Sequence, residues 1–258
     1  MRIKVLLDNT ALDGFVSVHG FSLIVEADEK ILFDVGPNDL FLDNARRLTE
    51  DLSDIEYVVL SHGHWDHGNG LLHLSGKELL LHPDCFITRY RKRNNTPVGL
   101  SKSKEELSKN YKIKESKHPY QISENMVFLG EIPRNNDFES QVSPFLLPDG
   151  SPDFVPDDSA IAITMDKGLV VISGCAHAGI CNTVDYAQKV CKCNEVYAVL
   201  GGFHLKEIDE LTSKTIDYLH SKNIKFLGPT HCTSFKVRDE FAKHFNVLEL
   251  AAGTVLEL

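Results

Sequence analysis

The sequence lacks a long apolar stretch. No run among its 258 residues approaches the roughly 18 apolar residues that a membrane-spanning helix needs. The first apolar stretch, which starts at Met1, is interrupted by Asp8 before the core of a secretory signal peptide can form. We therefore expect a cytoplasmic protein with no membrane contact.

Positive charge is also scarce. Lysine and arginine together number 27 against 37 aspartates and glutamates, which gives a formal net charge of −10. Because such a surface repels phosphate backbones, we expect no nucleic-acid partner. The sequence also has no Gly-x-Ser-x-Gly elbow, so serine-based nucleophilic catalysis has no support.

The remaining composition is that of an ordinary globular protein. Hydrophobic residues make up 42% and charged residues 25% of the chain, which excludes disordered, collagen-like and coiled-coil classes. With no secretory signal expected, the six cysteines are interpreted as reduced thiols and not as a disulfide framework. A chain of this length can bury enough surface to fold as one unit.

The pattern of apolar residues predicts strands first, and then helices that alternate with strands. This order favours a layered α/β fold, in which helices cover sheets. The segment 85–156 is rich in proline and in polar clusters, so it is predicted to be an insertion or lid outside the core. Strands are predicted at 3–7, 21–26, 31–34, 57–60, 79–81, 159–164, 169–172, 195–200, 224–227 and 254–256, and helices at 38–48, 180–190, 207–219 and 235–245.

The strongest chemical signal is a His-x-His-x-Asp-His segment that begins at His62, directly after a predicted strand. In an extended chain His62 and His64 project to the same side, so both imidazoles can reach one ion. The glycines that follow allow a turn that brings Asp66 and His67 back over the same point. Imidazole and carboxylate together suit zinc, iron or manganese better than calcium.

Two further histidines follow predicted strands. His177 comes after 169–172 and His231 after 224–227, each where a strand leads into a helix. In α/β layers, site residues usually lie at such carboxyl ends. These two and the four ligands of the segment make six candidates, which is enough for two divalent transition-metal ions with water completing each shell.

The His-x-His-x-Asp-His segment resembles the metal-binding motif of the metallo-β-lactamase superfamily. Three later segments resemble one branch of it, described as dihydropterin-ribofuranosylaminobenzene phosphate synthase-like or as metal-dependent hydrolases of β-lactamase superfamily II. The resemblance is weakest over 85–156. It implies a four-layer αββα sandwich, formed by a single domain over 1–258, with the metals between the sheet edges. The three segments are GCAHAGI from Gly174, GGFHL from Gly201 and PTHCT from Pro229.

The resemblance also implies roles for individual residues. Asp34, at the end of an early strand, would support the metal site from behind its ligands, and Asp66 would be both a ligand and the catalytic residue that orients hydroxide. His204 would face the substrate or be structural.

One ligand that is usual in the superfamily is missing, because Cys175 stands where a bridging aspartate normally follows glycine. Cys175, Asp158 or His177 could take its place. We favour His177 because a neutral imidazole binds metal without a costly deprotonation.

The substrate prediction depends on a basic segment. Residues 86–118 contain ten lysines and arginines and three glutamates, a balance of +7. Such a segment would attract an anionic substrate, or else form a solvated face. The sequence predicts a hydrolase that uses a metal-bound hydroxide, with zinc, manganese or iron, on a small anionic ester such as a phosphate ester or diester.

Two alternatives stay open. One is the branch's transferase role in pterin cofactor synthesis, in which an aminobenzoate is condensed with phosphoribosyl pyrophosphate. The other is a non-hydrolytic diiron redox or metal-sensing module.

Overall fold

The computed structural model describes residues 1–258. None of its helices has the length and hydropathy that crossing a bilayer requires. The helices are α1 (Leu40–Arg47), α2 (Trp65–Gly68), α3 (Lys104–Leu107), α4 (Ile180–Cys191), α5 (Glu210–Ser221) and α6 (Phe235–Ala242), with 3₁₀ turns at Asn69–His73 and Pro83–Phe86. The strands are β1 (Arg2–Leu7), β2 (Ser22–Glu26), β3 (Lys30–Phe33), β4 (Tyr57–Val59), β5 (Lys77–Leu81), β6 (Tyr90–Arg91), β7 (Thr96–Pro97), β8 (Tyr111–Glu115), β9 (Tyr120–Gln121), β10 (Met126–Phe128), β11 (Phe145–Leu146), β12 (Ala160–Met165), β13 (Gly168–Ser173), β14 (Val196–Gly202), β15 (Phe226–Thr230) and β16 (Val255–Glu257).

Two mixed sheets and one small sheet contain these strands. The first sheet has the order β16-β1-β2-β3-β4-β5-β8, and the second has the order β15-β14-β13-β12-β10-β9. Strands β11, β6 and β7 form the small third sheet.

Side chains that alternate along the strands point into three apolar interiors. One lies between the two large sheets, and one lies on the outer face of each large sheet. In β2, Leu23 packs between the two large sheets while Ile24 faces outward. In β13, Val170 packs between the sheets while Val171 faces the helices of the other side. The period of two therefore gives each large sheet two buried faces. The outer interiors hold α1 against the first sheet and α4, α5 and α6 against the second, so the predicted four-layer αββα sandwich is confirmed.

Parallel pairing aligns the ends of several strands at one edge. Strands β3 and β4 run parallel in the first sheet, and β13, β14 and β15 run parallel in the second. Their carboxyl ends therefore meet where loops from both sheets can contribute side chains to one site. The residues that follow these strands include Asp34, Ser61, Cys175, Phe203 and His231.

Predicted bounds differ from the observed ones by a few residues at most ends. The strand predicted at 224–227 lies at Phe226–Thr230, and the helix predicted at 207–219 lies at Glu210–Ser221. Pro229 lies within β15, which is the edge strand of its sheet. At an edge, a missing N–H need not remove a ladder hydrogen bond, so proline is tolerated there.

The expectation that 85–156 lies outside the core is wrong for the middle of that segment. Strand β8 pairs in parallel with β5, and β10 pairs with β12. Met126 and Phe128 are fully buried between the large sheets. The small third sheet does lie against the His-x-His-x-Asp-His segment, where the Trp65 N–H donates to the carbonyl of Val98 at 3.1 Å.

Candidate metal centre

Asp34 holds the first part of the site together. It is fully buried and has a φ of 56°, a left-handed conformation that L-residues rarely adopt and that concentrates at functional sites. Its Oδ1 accepts the Ser61 N–H at 2.7 Å, and its Oδ2 accepts the Ser61 hydroxyl at 2.7 Å. The same Oδ2 also accepts from His67 Nδ1 at 2.7 Å. One carboxylate therefore fixes the segment at two points.

These hydrogen bonds determine which ring nitrogens carry protons. Because an ionised carboxylate only accepts, His67 carries its proton on Nδ1 and its Nε2 presents a lone pair. The Ser61 hydroxyl donates to Asp34, so it accepts from His62 Nδ1 at 2.9 Å. The Nε2 of His62 is therefore also a lone-pair nitrogen. Orienting imidazole ligands in this way is the usual task of the groups behind a metal site.

His231 is oriented from the other side by residues that follow β1. Asn9 donates its amide N–H to the His231 carbonyl at 2.9 Å, and its Oδ1 lies 3.2 Å from His231 Nδ1. The Nε2 of His231 is thus left with a lone pair, and it lies 3.0 Å from His67 Nε2. Two lone pairs at this distance repel each other, and a proton or a metal ion that both nitrogens share would remove that repulsion.

The six predicted ligands lie in two clusters. His62, His64 and His177 form the first, and in each cluster the ligand atoms lie within 4.8 Å of one another. The second consists of Asp66, His67 and His231, and Cys175 lies within the same distance of His62 and His67. Three protein ligands with a further position open is the arrangement of catalytic zinc sites. That these six residues bind metal stays a prediction.

The first cluster contains ring nitrogens that need a partner. The Nε2 atoms of His64 and His177 are buried and make no hydrogen bond. Leaving a buried polar atom unpaired costs about 1–3 kcal/mol. Burial lowers the pKa of His62, His64 and His177 well below the usual value, so these rings are neutral, as metal binding requires. The donor set therefore fits a divalent transition-metal ion.

The second cluster combines a carboxylate with two imidazoles. Burial alone would raise the pKa of Asp66, but the bond to His19 at 3.0 Å and the neighbouring imidazoles lower it well below its usual range. Burial acts to lower the pKa of His67, but Asp34, Asp66 and Cys232 act together in the opposite direction, so that the pKa is raised overall. The surroundings of His67 Nε2 thus favour a positive charge, which a proton or a metal ion can supply.

The loop after β13 brings both candidates for the missing ligand to the site. His177 lies in the first cluster, while Cys175 Sγ lies 3.2 Å from His67 Nε2. Burial raises the pKa of the Cys175 thiol well above its usual value, which disfavours the thiolate that a metal would bind. Asp158 belongs to neither cluster, because its carboxylate accepts the Ala178 N–H at 2.9 Å and holds this loop. The preference for His177 over Cys175 stays a prediction.

His204 lies beside the first cluster without joining it. Its ring centroid is 4.4 Å from that of His177, and burial lowers its pKa to about 4. It lines a cavity next to the cluster. Its predicted role, to face the substrate or to be structural, stays a prediction.

Sequence reasoning missed several residues that support the site. Asp8 accepts the His231 N–H at 3.0 Å, and with Asn9 it directly follows β1. That position, at the end of an apolar strand as for Asp34, is a signal that identifies both residues. His19 lies in an irregular segment with no comparable signal, although its ring stacks on that of His231 at a centroid distance of 5.2 Å.

The basic segment is less basic at the surface than its composition indicates. Arg89 is fully buried, 2.7 Å from Asp157 and 3.2 Å from Asp153. Asp157 also accepts the N–H of Gly63 at 2.7 Å, so this ion pair supports the segment between His62 and His64. Four lysines pair with carboxylates, namely Lys102, Lys104, Lys112 and Lys117. The cations left without an ion pair are Arg91, Lys92, Arg93, Lys109 and Lys114.

Two cavities flank the clusters. One, of about 440 Å³, is lined by His19, Trp65, Arg91 and Arg93, and His19 contacts Asp66 of the second cluster. The other, of about 410 Å³, is lined by His177 of the first cluster and by a group of apolar side chains. Access to the site therefore has a cationic side and an apolar side.

Comparison with known proteins gives consistent matches. Residues 19–78 match the family described as the metallo-β-lactamase superfamily. The chain is 34% identical over 264 residues to an uncharacterized protein of Methanocaldococcus jannaschii, a match that covers 98% of this chain and 99% of the relative. It is 31% identical over 269 residues to the 7,8-dihydropterin-6-methyl-4-(β-D-ribofuranosyl)-aminobenzene-5′-phosphate synthase of the same organism, covering 94% and 91%. A crystal structure of a metal-dependent hydrolase of the β-lactamase superfamily matches with a TM-score of 0.90 and 32% identity, covering 100% of this chain and 99% of that one.

Proposed function

Because this chain belongs to the metallo-β-lactamase superfamily, we propose that it is a metal-dependent hydrolase of a small anionic ester, with phosphate esters or diesters as the substrate class. The observation that carries the proposal is the pair of three-ligand clusters, which are adjacent: the ring centroids of His62 and His67 lie 4.2 Å apart. Adjacent clusters of this kind suit a two-metal site, the arrangement that many phosphatases and nucleases use.

Six residues would bind the two metal ions. His62, His64 and His177 would hold one divalent ion, and Asp66, His67 and His231 would hold the other. Two such ions would supply an acidified water and a polarised substrate oxygen. Zinc is the proposed metal because imidazole nitrogens dominate the donor set, and manganese or iron would fit the same ligands.

Asp66 and Asp34 have different proposed tasks. The surroundings of Asp66 keep its carboxylate ionised, so it would accept a hydrogen bond from the attacking water and orient it. Asp34 would keep the protons of His67 and, through Ser61, of His62 on their Nδ1 atoms. That role needs no contact with the substrate.

The anionic substrate class is supported by the cavity of about 440 Å³ beside the second cluster. Arg91 and Arg93 line it together with Trp65. Guanidinium groups recognise phosphate oxygens through paired N–H donors, and neither arginine is engaged in an ion pair.

Three measurements test the proposal. Elemental analysis of protein purified without chelators should find close to two transition-metal ions per chain. A panel of phosphomonoesters, phosphodiesters and carboxylic esters should then identify the hydrolysed class. Substituting Arg91, Lys92 and Arg93 together by glutamine should raise KM for anionic esters and weaken its salt dependence, while the control Lys109→Gln should not. A metal content that never exceeds one ion per chain argues against the two-metal site. A triple variant that behaves as wild type argues against recognition of an anionic substrate by these three residues.

A second candidate function is a synthase activity. Its support is the full-length relative that carries a synthase name, at 31% identity. The arginine-lined cavity would then hold a phosphorylated ribose. Incubation with an aminobenzoate and phosphoribosyl pyrophosphate, followed by chromatographic detection of the ribosylated aminobenzene product, separates the two candidates. An ester hydrolase forms no condensed product, whereas simple hydrolysis of phosphoribosyl pyrophosphate also releases pyrophosphate.

A further inference from the structure

The cavity of about 410 Å³ beside the first cluster is walled mainly by apolar side chains. Its volume lies in the range of pockets that bind small molecules, which is about 300–1,000 Å³. His177 is the only candidate ligand in its lining, so the rest of the cavity takes no part in holding a metal ion. The apolar wall consists chiefly of Phe138, Phe145, Phe154, Phe203, Leu205 and Leu211.

Phe145 connects this cavity to the candidate ligands. Its ring centroid lies 4.6 Å from that of His64 and 5.4 Å from that of His177. Phe145 also pairs across strands with Arg91, which lines the cationic cavity on the other side. A ligand with its reacting bond at the clusters can therefore extend one end toward Arg91 and the other into the phenylalanine group.

The cavity offers no free charge to its occupant. Glu139 is the only acidic or basic side chain in its lining, and its carboxylate accepts the N–H groups of Cys181 and Asn182, both at 2.9 Å, at the start of α4. The two histidines in the wall, His177 and His204, are half-buried. Phenylalanine faces and edges favour another aromatic ring, because offset and edge-to-face arrangements add to the gain from area burial.

The mouth of the cavity is open to solvent. Val142 is 85% exposed and Phe154 is 39% exposed, although both are large apolar residues. Exposed apolar residues at the rim of a pocket are typical of a ligand site.

We infer that this cavity is a substrate subsite that binds an uncharged aromatic ring, attached by one or two bonds to the ester group that reacts at the clusters. The inference deepens the proposed function and rests on it, since it places the reacting bond at the metal centre. The substrate would then have two parts, an anionic group toward Arg91 and Arg93 and a ring among the phenylalanines.

Fluorescence of Trp65 can report on binding without any turnover. It is the only tryptophan of the chain, and it packs against the apolar cluster of Val98, Phe145 and Val155, of which Phe145 and Val155 line the cavity. With the metal-loaded protein, we would titrate benzylphosphonate against methylphosphonate, and phenylacetate against acetate. The ring should tighten binding by about tenfold or more in at least one pair, as expected for burial of roughly a hundred Å² of apolar surface.

Two variants test whether the ring binds in this cavity. Phe154→Ala removes a half-exposed wall residue, so the fold should persist, and the aromatic preference should fall to about threefold or less. The matched control is Phe235→Ala on α6, which is 65% exposed and lies outside the lining, and it should leave the preference unchanged. No aromatic preference in either pair, or a preference that Phe154→Ala does not reduce, overturns the inference.

Hydrolysis separates failure of the subsite from failure of the proposed function. Benzyl phosphate and ethyl phosphate both release primary alcohols of similar acidity, so a higher kcat/KM for the benzyl ester reports the subsite. If neither ester is hydrolysed but the aromatic preference in binding persists, the phosphate-ester proposal fails and the subsite stands. If both are hydrolysed equally and binding shows no preference, the subsite fails alone.

Discussion

Asp34→Asn should weaken metal binding in both clusters, although Asp34 is not among the predicted ligands. An amide has one acceptor oxygen where the carboxylate has two, and its nitrogen only donates. With the amide nitrogen in the place of Oδ2, it donates toward Ser61 Oγ and toward His67 Nδ1. His67 must then move its proton to Nε2, which removes the lone pair that the second cluster requires.

The effect reaches the first cluster through Ser61. Its hydroxyl now accepts from the amide, so its proton turns toward His62 Nδ1, which lies 2.9 Å away. His62 must then carry its own proton on Nε2. The opposite amide orientation is no better, because the amide nitrogen then meets the Ser61 N–H at the 2.7 Å position of Oδ1. The first orientation thus moves the protons of both rings to Nε2, and the second sets a buried donor against a donor.

The expected size follows from other metal sites. Loss of a group that orients a ligand typically lowers metal affinity by about 10- to 100-fold, or about 1.4–2.8 kcal/mol per ion. Competition with a chromophoric chelator for zinc or cobalt would measure both affinities, and circular dichroism would check the fold. Asp13→Asn, at an exposed position, is the matched control. If Asp34→Asn binds both ions within threefold of wild type, the proton assignment argued from Asp34 and Ser61 is refuted.

Three further predictions concern other residues. Asp66→Asn should lower turnover by at least about a hundredfold with an unchanged circular dichroism spectrum; activity within threefold of wild type would remove Asp66 from the mechanism. His177→Ala should lose about one metal ion and nearly all activity while Cys175→Ser keeps both, unless the cobalt protein shows a thiolate charge-transfer band that Cys175→Ser abolishes. Burial raises the pKa of Glu139 above 4.5. The stability advantage of wild type over Glu139→Gln in urea unfolding should therefore be greatest below about pH 4.5 and shrink as pH rises through the raised pKa; an advantage that grows instead would contradict this sign.

Much of the fold could be predicted because its central strands obey simple periodicity. Residues 169–172 alternate between two interiors, and residues 160–163 do the same on the neighbouring strand. Strand β8 was missed because it lies at the edge of its sheet and carries exposed Lys112 and Glu115. Its pairing with β5 depends on the tertiary structure, which local composition does not encode.

The residues of the site also fall into those that local sequence predicts and those that only the tertiary structure brings together. The ligands at 62–67 are contiguous, so their spacing alone predicts a common target. Asn9 and His231 are far apart in the chain, and their hydrogen bond exists only because β1 and β15 end at the same edge. His19 has no periodic context at all, and only the folded chain brings it within 3.0 Å of Asp66.

Backbone strain at the site edge connects the fold to the site. Asp34, Ala176, His204 and His231 all follow strands and all have φ between 48° and 56°. Each such conformation costs about 1–2 kcal/mol for an L-residue, so the surrounding structure must hold it in place. Buried hydrogen bonds hold two of the four positions. Asp34 accepts from Ser61, and the backbone of His231 is hydrogen-bonded to the side chains of Asp8 and Asn9. At Asp34 and His231 the chain turns sharply from a buried strand into a site loop, and glycine could make the turn without strain but could supply neither the carboxylate nor the imidazole. The strain therefore follows from placing functional side chains at the ends of buried strands.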